Sequence, residues 1–182
     1  PMRTRRKSCR GITTRGEFQF YGGHRLSVAP ETISQSYVPD NSGVTVEEKS
    51  DGVRLRGAVD GVTGIRKTMS IQLSSAGPFV LVKHAIENVG NEPIKISPWA
   101  ITMMRPGGAG VLPQQTKLID SDGLQPNRHF VLWPYSHWND KRLRLNEDII
   151  AIKAGAPRDG LKVGYFNSLG WMGYLFDDVF FV

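Results

Sequence analysis

Apolar and polar residues alternate with a period of two along most of this chain. Val44 and Val46 alternate with Thr45 and Glu47, and Val53 and Leu55 with Arg54 and Arg56. Met69, Ile71 and Leu73 are separated by Ser70 and Gln72. Val80, Val82, His84 and Ile86 share one side of an extended segment, opposite Lys83 and Glu87. Ile94 and Ile96, then Leu143 and Leu145, repeat the pattern. Successive side chains of a strand point to opposite faces, so each run predicts a strand with one dry and one wet face. No segment keeps a helical period over several turns. Asn146 to Lys153 is open between a short helix and a strand, since Ile149, Ile150 and Ile152 suit a strand equally well.

Turn chemistry separates these runs. Asp51-Gly52, Asp60-Gly61, Asp122-Gly123 and Asp159-Gly160 each supply a residue that tolerates positive φ, and Gly90-Asn91-Glu92-Pro93 is a further break. Short strands at roughly ten-residue spacing with such turns predict an all-β fold, an antiparallel β-sandwich. The longest irregular stretch is Arg105 to Asn127, and loops of that length are usually functional or disordered. Asp177 to Val182 reads as a strand that is central, or covered by a partner, or cut from a longer frame.

With 182 residues, 40% of them hydrophobic and 22% charged, the chain suits one globular domain over 17–182. A basic tail over 1–16 is expected to be disordered or partly ordered. No apolar run approaches the ~20 residues that span a bilayer. The basic N-terminus has no apolar signal core, so a cytoplasmic protein is expected. Cys9 is the single cysteine, which leaves no intrachain disulfide and no cysteine zinc site. The net charge is +6, but Arg3, Arg5, Arg6, Lys7, Arg10 and Arg15 precede the first acid. Without those six, 17 basic residues face 17 acidic ones, so the folded part is neutral. No second basic patch follows in the sequence, and nucleic acid is not expected as a partner.

Candidate chemistry gathers in three stretches. In Tyr21-Gly22-Gly23-His24-Arg25, the glycines allow a sharp turn or a close approach to a ligand. His24 and Arg25 then present donors, the arginine as a fork for a carboxylate, a phosphate or sugar hydroxyls. Pairing of Arg25 with an acid such as Glu31 is the structural alternative. Arg128 to Trp138 holds two Trp, one Tyr and two His within eleven residues. Such a mixture suits an amphipathic ligand whose C–H faces stack and whose hydroxyls need oriented partners. Taken singly, Trp133 reads as core and Trp138 as a loop residue. His129 and His137, eight apart, match no compact ligand set, so no metal is expected. His84, on an apolar face, reads as a hydrogen-bonded core residue. Acid–base candidates are Glu31, Asp120, Asp122, Asp140, His24 and His137, whose convergence a sequence does not reveal. Gly107-Gly108-Ala109-Gly110 lacks the Lys-Ser/Thr of a phosphate loop. No cofactor is expected.

Phe20-Tyr21-Gly22-Gly23-His24-Arg25-Leu26 with Ala29-Pro30-Glu31 resembles the opening motif of an uncharacterised bacterial family in the galactose mutarotase-like (aldose 1-epimerase-like) superfamily. The resemblance continues through Asn88-Val89-Gly90, Ser97-Pro98-Trp99-Ala100, Pro106-Gly107-Gly108 and Leu112-Pro113-Gln114. Leu132-Trp133-Pro134-Tyr135, Lys162-Val163-Gly164 and Gly170-Trp171-Met172-Gly173-Tyr174 complete it, from about Phe20 to Val182. It implies a partial supersandwich with a carbohydrate-sized cleft. His24, Arg25 and Gln114 are then expected to bind hydroxyls or a carboxylate, and Trp99, Trp133 and Tyr135 to stack on the ring.

In the true epimerases a histidine is the general acid and a glutamate the general base. This chain has Asp60-Gly61 where those enzymes carry a His-Gly step, and Trp99 where they carry a second histidine. The region supplying the glutamate has no counterpart in these 182 residues. The resemblance therefore implies a carbohydrate-binding protein without true epimerase activity. It also implies a domain trimmed at both ends, a homodimer that covers the cut edges, and a frame of the kind that integron cassettes carry. The alternatives are an active epimerase or lyase with His24 or His137 as acid, and an oligomerisation module with a vestigial cleft.

Overall fold

The structure is a computed structural model that describes residues 11–13, 16–18, 22–155 and 160–182. Tyr21, Cys9, the six basic residues of the expected tail and Asp159 lie outside the described residues. The chain divides into two compact units, one running to Met103 and the other from Met104 to Val182.

The first unit opens with a two-stranded ribbon, β1 (Gly11–Thr13) and β2 (Gly16–Phe18), so the described end of the expected tail is paired. Strand β3 (Gly23–Ala29) leads over a cis Ala29–Pro30 bond into one helical turn, α1 (Ile33–Ser36). Four strands follow as an antiparallel meander: β4 (Thr45–Lys49), β5 (Gly52–Arg56), β6 (Ile65–Leu73) and β7 (Val80–Asn88). Strand β8 (Ser97–Met103) returns to pair antiparallel with β3. Ile94 and Ile96 precede β8 and are not in a strand, which corrects the expectation from their alternation.

The register bears out the period-two reading. Val46, Leu55, Met69 and His84 form one cross-strand row, and Val53, Ile71 and Val82 the next, all on one face. Arg54, Ser70 and Lys83 occupy the opposite, polar face. The first unit's core is small. Phe18, Leu26, Val28 and Ile65 are its buried apolar side chains among the described residues. Beside them, buried Ser36 ties α1 to β3: its Oγ donates to the Val28 carbonyl (2.8 Å) and accepts from Thr32 N–H (3.0 Å).

The Asp-Gly pairs act differently from expectation. Of Gly52, Gly61 and Gly123, the last alone adopts positive φ (65°). Gly52 is required by space: a Cβ there would lie 1.9 Å from the Ile71 carbonyl oxygen of the next strand. At Asp60-Gly61 the left-handed residue is Gly64 (φ 67°), whose N–H closes the turn on the Asp60 carbonyl.

The second unit is built on a five-stranded antiparallel sheet in the order β11 (Leu143–Leu145), β12 (Ile149–Lys153), β9 (Ala109–Pro113), β14 (Gly173–Phe176), β15 (Val179–Phe181). A separate ribbon pairs β10 (Phe130–Leu132) with β13 (Val163–Tyr165). Ile149–Lys153 is thus a strand, and the long irregular stretch is interrupted by β9. Leu143, Ile150 and Tyr174 are buried. The Tyr174 hydroxyl donates to the Arg105 carbonyl and accepts from Gly108 N–H. The final strand, β15, is an edge strand with Phe180 and Phe181 about half exposed.

The protein is therefore almost wholly β and antiparallel throughout. Among the described residues no helix is long and apolar enough to cross a membrane.

Candidate functional site

In the first unit, chemistry gathers where β3 meets the apolar face of the four-stranded sheet. Alternation along β3 puts His24, Leu26 and Val28 on one side and Arg25 and Ser27 on the other. His24 Nδ1 lies 2.8 Å from Thr102 Oγ1 on β8, and its Nε2 lies 2.8 Å from Nε2 of His84 on β7. The ring centroids are 4.9 Å apart and the planes differ by 24°. With the nitrogens so much closer than the centroids, the rings meet end to end rather than face to face.

One of the two Nε2 atoms must donate and the other accept. The Nδ1 of His84 is buried without a hydrogen-bond partner. An orphaned buried N–H is costly, so we assign the bare nitrogen to that position. His84 Nε2–H then donates to His24 Nε2, and His24 Nδ1–H to Thr102. Burial, reinforced by the neighbouring His24, holds the His84 pKa below its ordinary value. His84 is thus hydrogen-bonded on an apolar face, as its position between Val82 and Ile86 predicts, but half-buried rather than in the core.

Next to this pair, Arg25 reaches Asp40 (3.3 Å) rather than Glu31, and its guanidinium stacks 4.5 Å above the Phe18 ring. Glu31 instead accepts from the Tyr37 hydroxyl. Lys67 Nζ lies 3.9 Å from the other Asp40 oxygen. Burial lowers the Lys67 pKa and nearby Arg25 lowers it further, while Asp40 and Asp60 act against them. One carboxylate therefore sits between two cations.

These groups border a hollow of about 270 Å³ that also includes Leu26, Asn41, Leu55 and Met69 in its lining. Asp40 and Lys67 also line a neighbouring hollow of about 290 Å³ with Asp60 and Ile65. A larger one, about 620 Å³, lies between the 61–65 turn and residues 90–96 and carries none of the paired histidines or cations. Trp99 sits opposite Ser27 in the β3–β8 register, on the Arg25 side of that ribbon, and does not line the 270 Å³ hollow.

The other sequence-predicted residues belong to the second unit. Gln114 follows β9, where its N–H donates to the Asp148 carbonyl (2.8 Å). Trp133-Pro134-Tyr135-Ser136 forms a turn closed by Ser136 N–H on the Trp133 carbonyl (2.8 Å). Ser136 Oγ both donates to the Lys162 carbonyl and accepts from Lys162 N–H, at 2.9 and 2.8 Å. The Lys162 ammonium lies 4.4 Å from the centre of the Trp133 ring and covers one of its faces. Tyr135 is exposed, and Trp138 packs at a tilt against Phe130.

Lys67 and Asp40 were not singled out in the sequence, and His84 was read without its partner. Lys67 had a usable signal, a lone charge on the inward side of the Ile65–Lys67–Met69 alternation. His84 had the same signal without its partner. Asp40 lies in an aperiodic loop and had none. Among the described residues no group of three or more His, Cys, Asp or Glu is placed to hold a metal ion. Comparison with protein-family models, with curated proteins and with solved structures gives no match to this chain.

Proposed function

We propose that the hollow beside β3 binds a sugar, and a sugar acid in preference to a neutral one. The observation that carries this reading is the convergence of Arg25 and Lys67 on the single carboxylate of Asp40, in a hollow that His24 also lines. Two cations offer donors to a ligand carboxylate, and Asp40 offers an acceptor to hydroxyls. Leu26, Leu55 and Met69 supply apolar surface for ring C–H groups. The volume, about 270 Å³, falls just under the roughly 300–1,000 Å³ of drug-sized pockets and suits one ring. The resemblance to mutarotase-like proteins points to the same ligand class, and a reducing compartment such as the cytoplasm suits a chain with one cysteine.

The test is saturation-transfer NMR of the full chain against paired neutral sugars and uronic acids. Glucuronate or galacturonate should give stronger transfer than glucose or galactose, and Arg25→Gln should abolish the preference. Absence of transfer across the panel defeats the reading.

A second reading, an epimerase-type isomerase, draws on the His24–His84 pair, where one proton lies between two imidazoles at the edge of the hollow. Polarimetry of freshly dissolved α-glucose and α-galactose with and without the protein decides it, since a binder leaves the spontaneous rate unchanged.

Self-association as a homodimer is also proposed. It is supported by the uncharged edge strand β15, in which Phe180 and Phe181 are about half exposed, since unguarded edges pair with other chains. Light scattering at micromolar concentration tests it; a single monomeric species overturns it.

A further inference from the structure

The second unit carries a cluster of cations that the sugar site does not use. On one face of its sheet, Arg144 is paired with Ala151, and Ala151 with Val111. Two residues along, Lys153 N–H bonds to the Arg142 carbonyl (2.9 Å), Lys153 is paired with Ala109, and Ala109 with Leu175. Residues in register share a face. Long basic side chains therefore stand around a floor of alanine. Lys141 joins from the adjoining turn, and Gly107, Gly108 and Asp177 complete the lining of a hollow of about 400 Å³.

Four cations and one acid line this hollow. Arg142 is held by a fork to Asp140, with Nε to Oδ1 at 2.9 Å and NH2 to Oδ2 at 2.6 Å. Arg144 is oriented by the carbonyls of Lys141 and Leu143, at 3.0 and 3.2 Å. Among the described residues neither Lys141 nor Lys153 has an ion-pair partner. Like charges beside one another on neighbouring strands destabilise a sheet, and an anion among them removes that repulsion.

We propose that this face binds the phosphate group of a small molecule, a phosphate monoester or diphosphate. Guanidinium forks match phosphate oxygens, and the lysines add point charge. The volume lies within the range of small-molecule pockets. Across the sheet the same face turns apolar at Leu175 and its neighbour Phe180, whose ring lies over Gly173. The charge is thus confined to one end, with apolar surface beside it. A sugar or nucleoside attached to the phosphate fits that layout, whereas a polynucleotide needs a longer basic track.

The experiment is calorimetric titration of the full chain with pyrophosphate, ADP and a single-stranded oligonucleotide at low salt. Pyrophosphate and ADP should bind with Kd below about 1 mM. The double variant Arg144→Gln/Lys153→Gln should weaken both at least tenfold while its thermal melt matches the parent's. Asp177→Asn keeps a residue that tolerates its positive φ of 51°, and it should tighten binding severalfold by removing the opposing charge. Three results overturn the proposal: no heat at about 10 mM ligand, equal affinity in the double variant, or an oligonucleotide that outcompetes ADP with a salt dependence of many phosphates.

Discussion

The Nε2 atoms of His24 and His84 stand 2.8 Å apart, so a single proton serves both. The pair bridges β3 and β7, with Thr102 and Met69 beside it and Arg25, Lys67 and Asp40 around the adjoining hollow. Hydrogens on both Nε2 atoms at once would leave no acceptor and break the bond between the two strands.

The stability of the protein should depend on this pair. His84 has its pKa held below the ordinary 6.5, so below that value the unfolded chain binds more protons at this residue than the folded one. Stability rises with pH wherever the unfolded state binds more protons. The contribution is therefore full above about 6.5 and is lost progressively as the pH falls below it. Urea midpoints at pH 8, 7, 6 and 5 should fall more steeply for the parent than for His84→Gln. Parallel profiles would refute the role of the pair.

Asp40 keeps Arg25 and Lys67 from repelling each other. Asp40→Asn leaves two cations facing without a carboxylate, and the Lys67 pKa should drop further. Because the pairs are partly exposed, the stability loss should be modest, about 0.5–1 kcal/mol. The sharper readout is chemical: at pH 8, Lys67 should be acylated faster in Asp40→Asn than in the parent. Mass spectrometry after brief labelling measures this, and an unchanged rate at Lys67 contradicts the arrangement.

Gly52→Ala should be among the most damaging single-methyl changes. The added Cβ meets a backbone carbonyl of β6 at 1.9 Å, not a side chain that can rotate away. Overpacking typically costs about 1–3 kcal/mol, and here the upper end or beyond is expected because β5 and β6 must part. Gly61→Ala, with nothing within 4 Å of its Cβ, is the matched control and should be nearly silent. Equal denaturation midpoints for the two variants would show that the strands do not approach as described.

Tyr174→Phe should cost about 1–3 kcal/mol. The ring stays, but the Gly108 N–H and the Arg105 carbonyl lose their shared partner. Amide hydrogen exchange should quicken at Gly108 while β11 and β12 stay protected. Loss of protection throughout the sheet would instead mean that the hydroxyl holds the whole unit.

Much of the fold is legible in the residues. The alternations at 53–56, 69–73 and 80–86 give strands whose apolar members share one face, because a strand's side-chain period is fixed by covalent geometry. Ile94 and Ile96 show where that logic fails: two apolar residues spaced by two are also what a loop between Pro93 and β8 allows. The site was partly legible. His24 and Arg25 stand at the edge of the hollow, as the glycine-flanked motif suggests. Trp133, read as a stacking platform, has one ring face taken by Lys162, a contact between residues 29 apart that no local pattern encodes.

The basic cluster of the second unit makes the same point with charge. Arg142 and Arg144 alternate with Leu143 and Leu145 and read as the wet side of one strand. Lys153 belongs to another strand, and the alanines between them to β9 and β12. Summed from Glu17 onward, acids and bases cancel; laid out in register, four cations border one hollow.

Period, turn chemistry and composition by themselves determined an antiparallel β protein with alternating faces, because those follow from steric rules within a few residues. Which strand pairs with which, that β3 pairs with β8 across the 67 residues between Ala29 and Ser97, and that His24 therefore finds His84, were decided only by tertiary structure. Those meetings depend on how sheets stack and where long loops return, and they are governed by burial and register between segments distant in sequence.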